Sequence, residues 1–136
     1  QMGLRGVDAE RLRAQGAAFA RDVLPGVLRP EAMARLAWHR QRGDRVVVVS
    51  GGLDVYLAPW CADQGVELLC SVLAERGGRI TGYAGPQCVG EEKVRRVHAL
   101  CDPQAYAAIH AYGDTHEDLA MLAMAHHRTY RGHVMA

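Results

Sequence analysis

The sequence predicts an α/β fold built on a doubly wound parallel sheet, and three observations carry that prediction. Candidate strands alternate with candidate helices along the chain, the pattern of strand–helix–strand crossovers. The clearest strand, Arg45 to Ser50, is a β-branched run without polar alternation, which suits a parallel strand buried on both faces. Two strand candidates run into glycine-marked polar turns, Ser50-Gly51-Gly52 and Gly113-Asp114, and open parallel sheets bind ligands at such strand ends.

The elements follow in order. Asp8 can cap a helix that runs to Leu24 and stops at Pro25-Gly26. Pro30 and Glu31 open a second helix, with Met33, Leu36, Ala37 and Arg40 at helical spacing up to Gly43. After the valine strand, a helix spans Leu53 or Asp54 to Gln64, closed by Gly65, and Val66 to Val72 forms another strand. Arg76-Gly77-Gly78-Arg79 joins Val72–Glu75 to Ile80–Tyr83 as a hairpin. Gly90 precedes a helix from Glu91 to Leu100, acids first and bases later. Tyr106 to Tyr112 reads as a fourth strand, Glu117 to Ala125 as a helix, and Arg128 to Arg131 as a last short strand.

Composition sets the outer bounds. A chain of 136 residues with 49% hydrophobic and 23% charged residues has the size and balance of one globular domain. Its net charge of +1 excludes a nucleic acid or anionic membrane attracted by bulk charge. No apolar run is long enough for a transmembrane segment, and Gln1 to Gly6 lacks the pattern of a signal peptide. The four cysteines form no CxxC, so reduced thiols and a cytoplasmic location are expected. His116, His126 and His127 are read as surface or helix-end residues.

Three polar groups fall at strand or helix starts in a telling order: Ser50 with the Gly51 amide, Lys93 in a first helical turn, and Asp114 with Asp118 four residues on. A hydroxyl, free amides, a lysine and paired carboxylates suit a phosphate with a divalent cation. Each alone has a bland reading as a turn, a solvated lysine or a helix cap.

Together these segments resemble the haloacid dehalogenase (HAD) superfamily of phosphatases, in the subgroup that includes phosphoserine phosphatase. The resemblance spans roughly Pro30 to Arg131. Val47-Val48-Val49-Ser50-Gly51-Gly52 is similar to the second motif, Arg79-Ile80-Thr81-Gly82 to the hairpin after it, Lys93 to the third motif, and Gly113-Asp114 through Asp118 to the GDxxxD fourth motif. It implies a Rossmann-like core, phosphate binding by Ser50, Gly51 and Lys93, catalytic roles for Lys93 and Asp118, and Mg²⁺ at Asp114 and Asp118. Asp118 would act through the metal shell or by orienting Lys93. It further implies a small phosphorylated substrate and an aspartyl-phosphate mechanism.

Two departures accompany the likeness. Glu117 replaces the asparagine of phosphoserine phosphatases, and the ending His127 to Gly132 resembles less characterised relatives, which include phosphatases of phospholipid precursors. None of the eight aspartates forms the DxD that would carry the nucleophile and acid/base. The expectation is therefore an incomplete core: residues 1–28 as the remnant of a helical cap, residues 29–136 as the C-terminal part of the core. The nucleophile would lie upstream, and the valine strand, lacking its central neighbour, would be prone to dimerisation or to association with the missing N-terminal segment. The competing expectation is a non-catalytic α/β domain that keeps a phosphate or Mg²⁺ pocket.

Overall fold

Helix formation begins where Asp8 accepts the Arg11 N–H at 2.9 Å, capping α1 (Ala9–Asp22). The computed structural model describes residues 4–135 and divides into two compact units, Gln1–Pro86 and Gln87–Ala136. The boundary expected after residue 28 falls inside the first unit, and residues 1–3 of the expected cap segment lie outside the described residues.

In the first unit, α1 is followed by a single turn, α2 (Leu24–Val27), so Pro25-Gly26 sits within a helical turn instead of ending one. Proline is tolerated there because a first-turn N–H has no intrahelical partner. Then come α3 (Pro30–Gln41), β1 (Val47–Leu53), α4 (Asp54–Gln64), β2 (Glu67–Ser71), β3 (Leu73–Arg76) and β4 (Arg79–Tyr83). Gly65 closes α4 in the left-handed region at φ 70°, with its N–H on the Ala62 carbonyl.

β1 and β2 pair in parallel from Val47 opposite Glu67 to Ser50 opposite Cys70. Among the described residues β1 pairs with β2, and the seven residues of β1 are half-buried rather than fully enclosed as the valine run led one to expect. The strand also continues past Ser50 through the glycines, with a register slip before Leu53. β3 and β4 form the expected hairpin. Asp54 fixes its position, accepting the Leu73 N–H at 3.2 Å. A small core of Ala9, Leu12 and Ile80, flanked by Leu4, Val7, Val55 and Leu73, ties α1 to the hairpin.

The second unit contains α5 (Glu91–Leu100), β5 (His110–Gly113), α6 (Leu119–Leu122), β6 (His127–Tyr130) and β7 (His133–Val134). β5 and β6 pair in parallel, and β7 turns back antiparallel on β6. Two expectations change here. Asp102 caps a 3-10 turn at Pro103–Ala105, so the strand starts at His110 rather than Tyr106. The helix expected from Glu117 to Ala125 is a 3-10 turn, His116–Asp118, followed by the single turn α6, because Asp118 is drawn inward. The four cysteines are thiols rather than disulfides, and no helix among the described residues is long and apolar enough to cross a membrane.

The crossing of α1 and α4 is close: a Cβ on Gly16 would run into the Val55 carbonyl. Gly16→Ala is expected to destabilise the first unit by about 1–3 kcal/mol through overpacking, read as a lower urea midpoint at unchanged slope.

Candidate functional site

The second unit gathers three of the expected residues. Gly90 starts α5 with φ 53° and ψ −128°, a conformation suited to glycine, and its N–H donates to the Glu117 carbonyl at 3.1 Å. That bond ties the start of α5 to the loop after β5. Lys93, in the first turn of α5, is only 5% exposed, and its Nζ is ion-paired with Asp118 Oδ1. Asp118 is 8% exposed, so the pair is essentially withdrawn from water.

The other Asp118 oxygen is also engaged. Oδ2 accepts the Asp114 N–H at 2.9 Å and the Thr115 N–H at 3.2 Å. Thr115 returns the contact, its side chain accepting the Asp118 N–H in a reciprocal capping box. Gly113 makes room: a Cβ there would lie 2.6 Å from Asp118 Cβ. Burial alone pushes the Asp118 carboxyl up. The Lys93 hydrogen bond, the two backbone N–H groups and the Lys93 charge outweigh it and hold the carboxyl below the usual carboxylate range.

Asp114 stands exposed just past the end of β5, and its carbonyl accepts Arg131 Nε at 3.1 Å. Of the two roles expected for Asp118, the contacts are those of orienting Lys93; the exposed carboxylate is Asp114. Mg²⁺ keeps several waters and takes one or two carboxylates, so a hard oxygen donor at the strand end fits it. Among the described residues, no group of three or more His, Cys, Asp or Glu side chains forms a ready-made metal cage.

Ser50 and Gly51 belong to the first unit. Ser50 Oγ accepts the Gly52 N–H at 3.0 Å, which leaves its own proton to donate. The register slip leaves Gly51 and Gly52 without counterparts on β2. A Cβ at 52 would crowd Leu57 and the Tyr56 hydroxyl, and these side chains would have to shift.

The family model of the haloacid dehalogenase-like hydrolases matches residues 3–123. The chain belongs to that family. Protein CicA of Caulobacter vibrioides is 32% identical over 131 residues, 94% of this chain and 59% of that protein. The chain thus spans about three-fifths of the length of the curated relatives it matches. A Bordetella pertussis protein of unknown function superposes with a TM-score of 0.79 at 25% identity, over 89% of this chain and 57% of that one. A probable phosphoserine phosphatase from Vibrio cholerae gives 0.68 at 21% identity, over 93% and 38% of the respective chains, a likeness of fold. The HAD-like α/β fold read from the motifs is therefore the observed one, and its structural neighbours include phosphatases.

Sequence reasoning missed three contributors in this loop. Thr115-x-x-Asp118 is a capping pattern legible in the sequence. The Glu117 carbonyl acts through its backbone and leaves no side-chain signal. Arg131 reaches Asp114 from 17 residues away, beyond any local pattern.

Because the folded Asp118 carboxyl lies below its unfolded value of about 4, its ionised form stabilises the fold above that value. This contribution is lost as pH falls through the folded value. Asp118→Asn is expected to lower stability at neutral pH and to flatten the acid limb of the stability curve, checked by denaturant unfolding from about pH 6 to 2. Lys93→Met leaves a buried carboxylate without its cation and is expected to cost about 3–5 kcal/mol in the same measurement.

Proposed function

We propose that these residues are part of a cytoplasmic, Mg²⁺-dependent phosphomonoester hydrolase that acts on a small phosphorylated substrate through an aspartyl-phosphate. The observation that carries this reading is the buried Lys93–Asp118 pair beside the exposed Asp114. A lysine ion-paired at a helix start, next to a carboxylate at a strand end, suits a phosphoryl group and its cation.

Each residue has a distinct task. Lys93 neutralises charge on the phosphoryl oxygens, and Asp118 pairs with it and aims it. In the first unit, Ser50 has a hydroxyl proton and Gly51 an N–H to donate to a phosphate. Asp114 would hold Mg²⁺, which supplies charge neutralisation between nucleophile and phosphate.

The nucleophile and its acid/base partner are assigned to sequence outside these 136 residues. No DxD occurs in the chain, and most of its aspartates have structural work. Asp8 and Asp102 cap helical turns, Asp22 pairs with Arg21, Asp44 bonds His39 Nδ1, and Asp54 holds the hairpin. Among the described residues β1 pairs with β2, and β1 is the proposed contact for an N-terminal segment or, in its absence, a second copy. The missing DxD also favours a second reading, a non-catalytic domain that retains phosphate or Mg²⁺ binding.

The native gene product, its mass established first, should hydrolyse p-nitrophenyl phosphate with Mg²⁺, and Asp114→Asn should lower kcat about 100-fold or more. Intact Mg²⁺-dependent turnover in that variant would refute the site. A native product of 14.8 kDa without turnover would select the non-catalytic reading.

A further inference from the structure

The turn between β6 and β7 contains a residue for which the hydrolase reading has no use. Tyr130 pairs with His133, so Arg131 and Gly132 are the two central residues of a tight hairpin. Both have positive φ, 51° and 79°. Such hairpins favour Asn-Gly or Gly-Gly, because L side chains resist the left-handed region. Arg131 is the one non-glycine residue with positive φ among the described residues. A residue held there costs on the order of 1 kcal/mol or more and persists only where its surroundings impose it.

Its contacts show what imposes it. The Arg131 N–H donates to the Gly113 carbonyl at 2.9 Å, and its Nε donates to the Asp114 carbonyl at 3.1 Å. The guanidinium also lies over the Tyr130 ring, 5.0 Å from its centre. Asp118 Oδ2 holds the N–H groups of Asp114 and Thr115. The two peptide planes that flank the Asp114 Cα are thus each held at both ends, the N–H by Asp118 and the carbonyl by Arg131. Fixing both planes fixes the φ and ψ of Asp114, and with them the direction in which its carboxylate leaves the backbone.

We infer that Arg131 is a positioning residue for Asp114, the outer half of a clamp whose inner half is Asp118. The inference rests on the reading of Asp114 as the Mg²⁺ carboxylate for its functional meaning, and on the four hydrogen bonds for its geometry. An arginine accepts the unfavourable backbone because glycine or asparagine could not reach the Asp114 carbonyl from this turn.

Arg131→Gly tests it, since glycine keeps the N–H and the left-handed turn while removing the Nε donor. Two readouts are taken: amide hydrogen exchange of Asp114 and Thr115 by NMR, and Mg²⁺ affinity by calorimetry on the native full-length protein with the metal alone. Both amides should exchange roughly tenfold faster and Mg²⁺ should bind roughly tenfold more weakly, as for other groups that orient a metal ligand. The urea midpoint should not fall, and Arg131→Lys should recover part of both effects. Unchanged exchange and affinity overturn the inference, and so does a loss of protection spread evenly over the unit, which would mark a merely structural role. If the wild-type protein bound no Mg²⁺, the metal reading would fall, and the exchange of the two amides alone would decide the clamp.

Discussion

The arrangement of the second unit depends on one ion pair taken out of water. Lys93 and Asp118 are both nearly inaccessible, and neither charge could be buried alone without a cost of several kcal/mol. Each needs the other, and Asp118 needs further donors to satisfy its second oxygen. Those donors are the backbone N–H groups of Asp114 and Thr115, so burying the pair shapes the loop after β5. Gly113 is the steric condition for this, because any side chain there would displace the carboxylate. The truncated α6 is the consequence: drawing Asp118 inward spends the first turn of the expected helix on a 3-10 segment.

A pair of this kind is a poor device for stability, since apolar residues of similar volume often do as well. In the proposed hydrolase its value is a lysine whose direction is settled before a ligand arrives. Preorganised charge stabilises a developing anion without the reorganisation that water would require. The same logic applies to Asp114, which is exposed while the two peptide planes that flank it are held at four points. Exposure gives access to solvent and ligand; the held backbone gives direction.

The sequence disclosed much of this in uneven measure. Local signals were reliable where local chemistry decides: Asp8 as a cap, Pro30 at a first turn, Gly65 as a helix stop, and the Arg76–Arg79 turn all lie where propensity put them. Lys93, Asp114 and Asp118 were legible as motif residues, and the second unit brings them together. Legibility failed where a tertiary contact overrode a local pattern. The Glu117 to Ala125 helix yielded to the buried ion pair. The strand beginning at Tyr106 yielded to the Asp102 cap. The valine run of β1 reads as fully enclosed, yet it is half-buried, because burial on both faces depends on neighbours that β1's own residues do not encode. Arg131 was invisible for a related reason: its partner is 17 residues away and is a backbone carbonyl.

That last case bears on how such sites are delimited. A motif such as GDxxxD names the residues whose side chains meet the chemistry, and its short span reflects what one loop can supply. A strand end, however, has two sides. The loop's own carboxylate can satisfy the N–H groups that point inward, but the carbonyls of the same peptide planes point the other way, out of reach of Asp118. Parallel pairing of β5 with β6 brings the chain after β6 back to those carbonyls, Gly113 lying opposite Tyr130. The next residue, Arg131, is therefore the first one able to reach them with both its N–H and its side chain. The parallel ladder thus explains why the second half of the clamp is remote in sequence and adjacent in space.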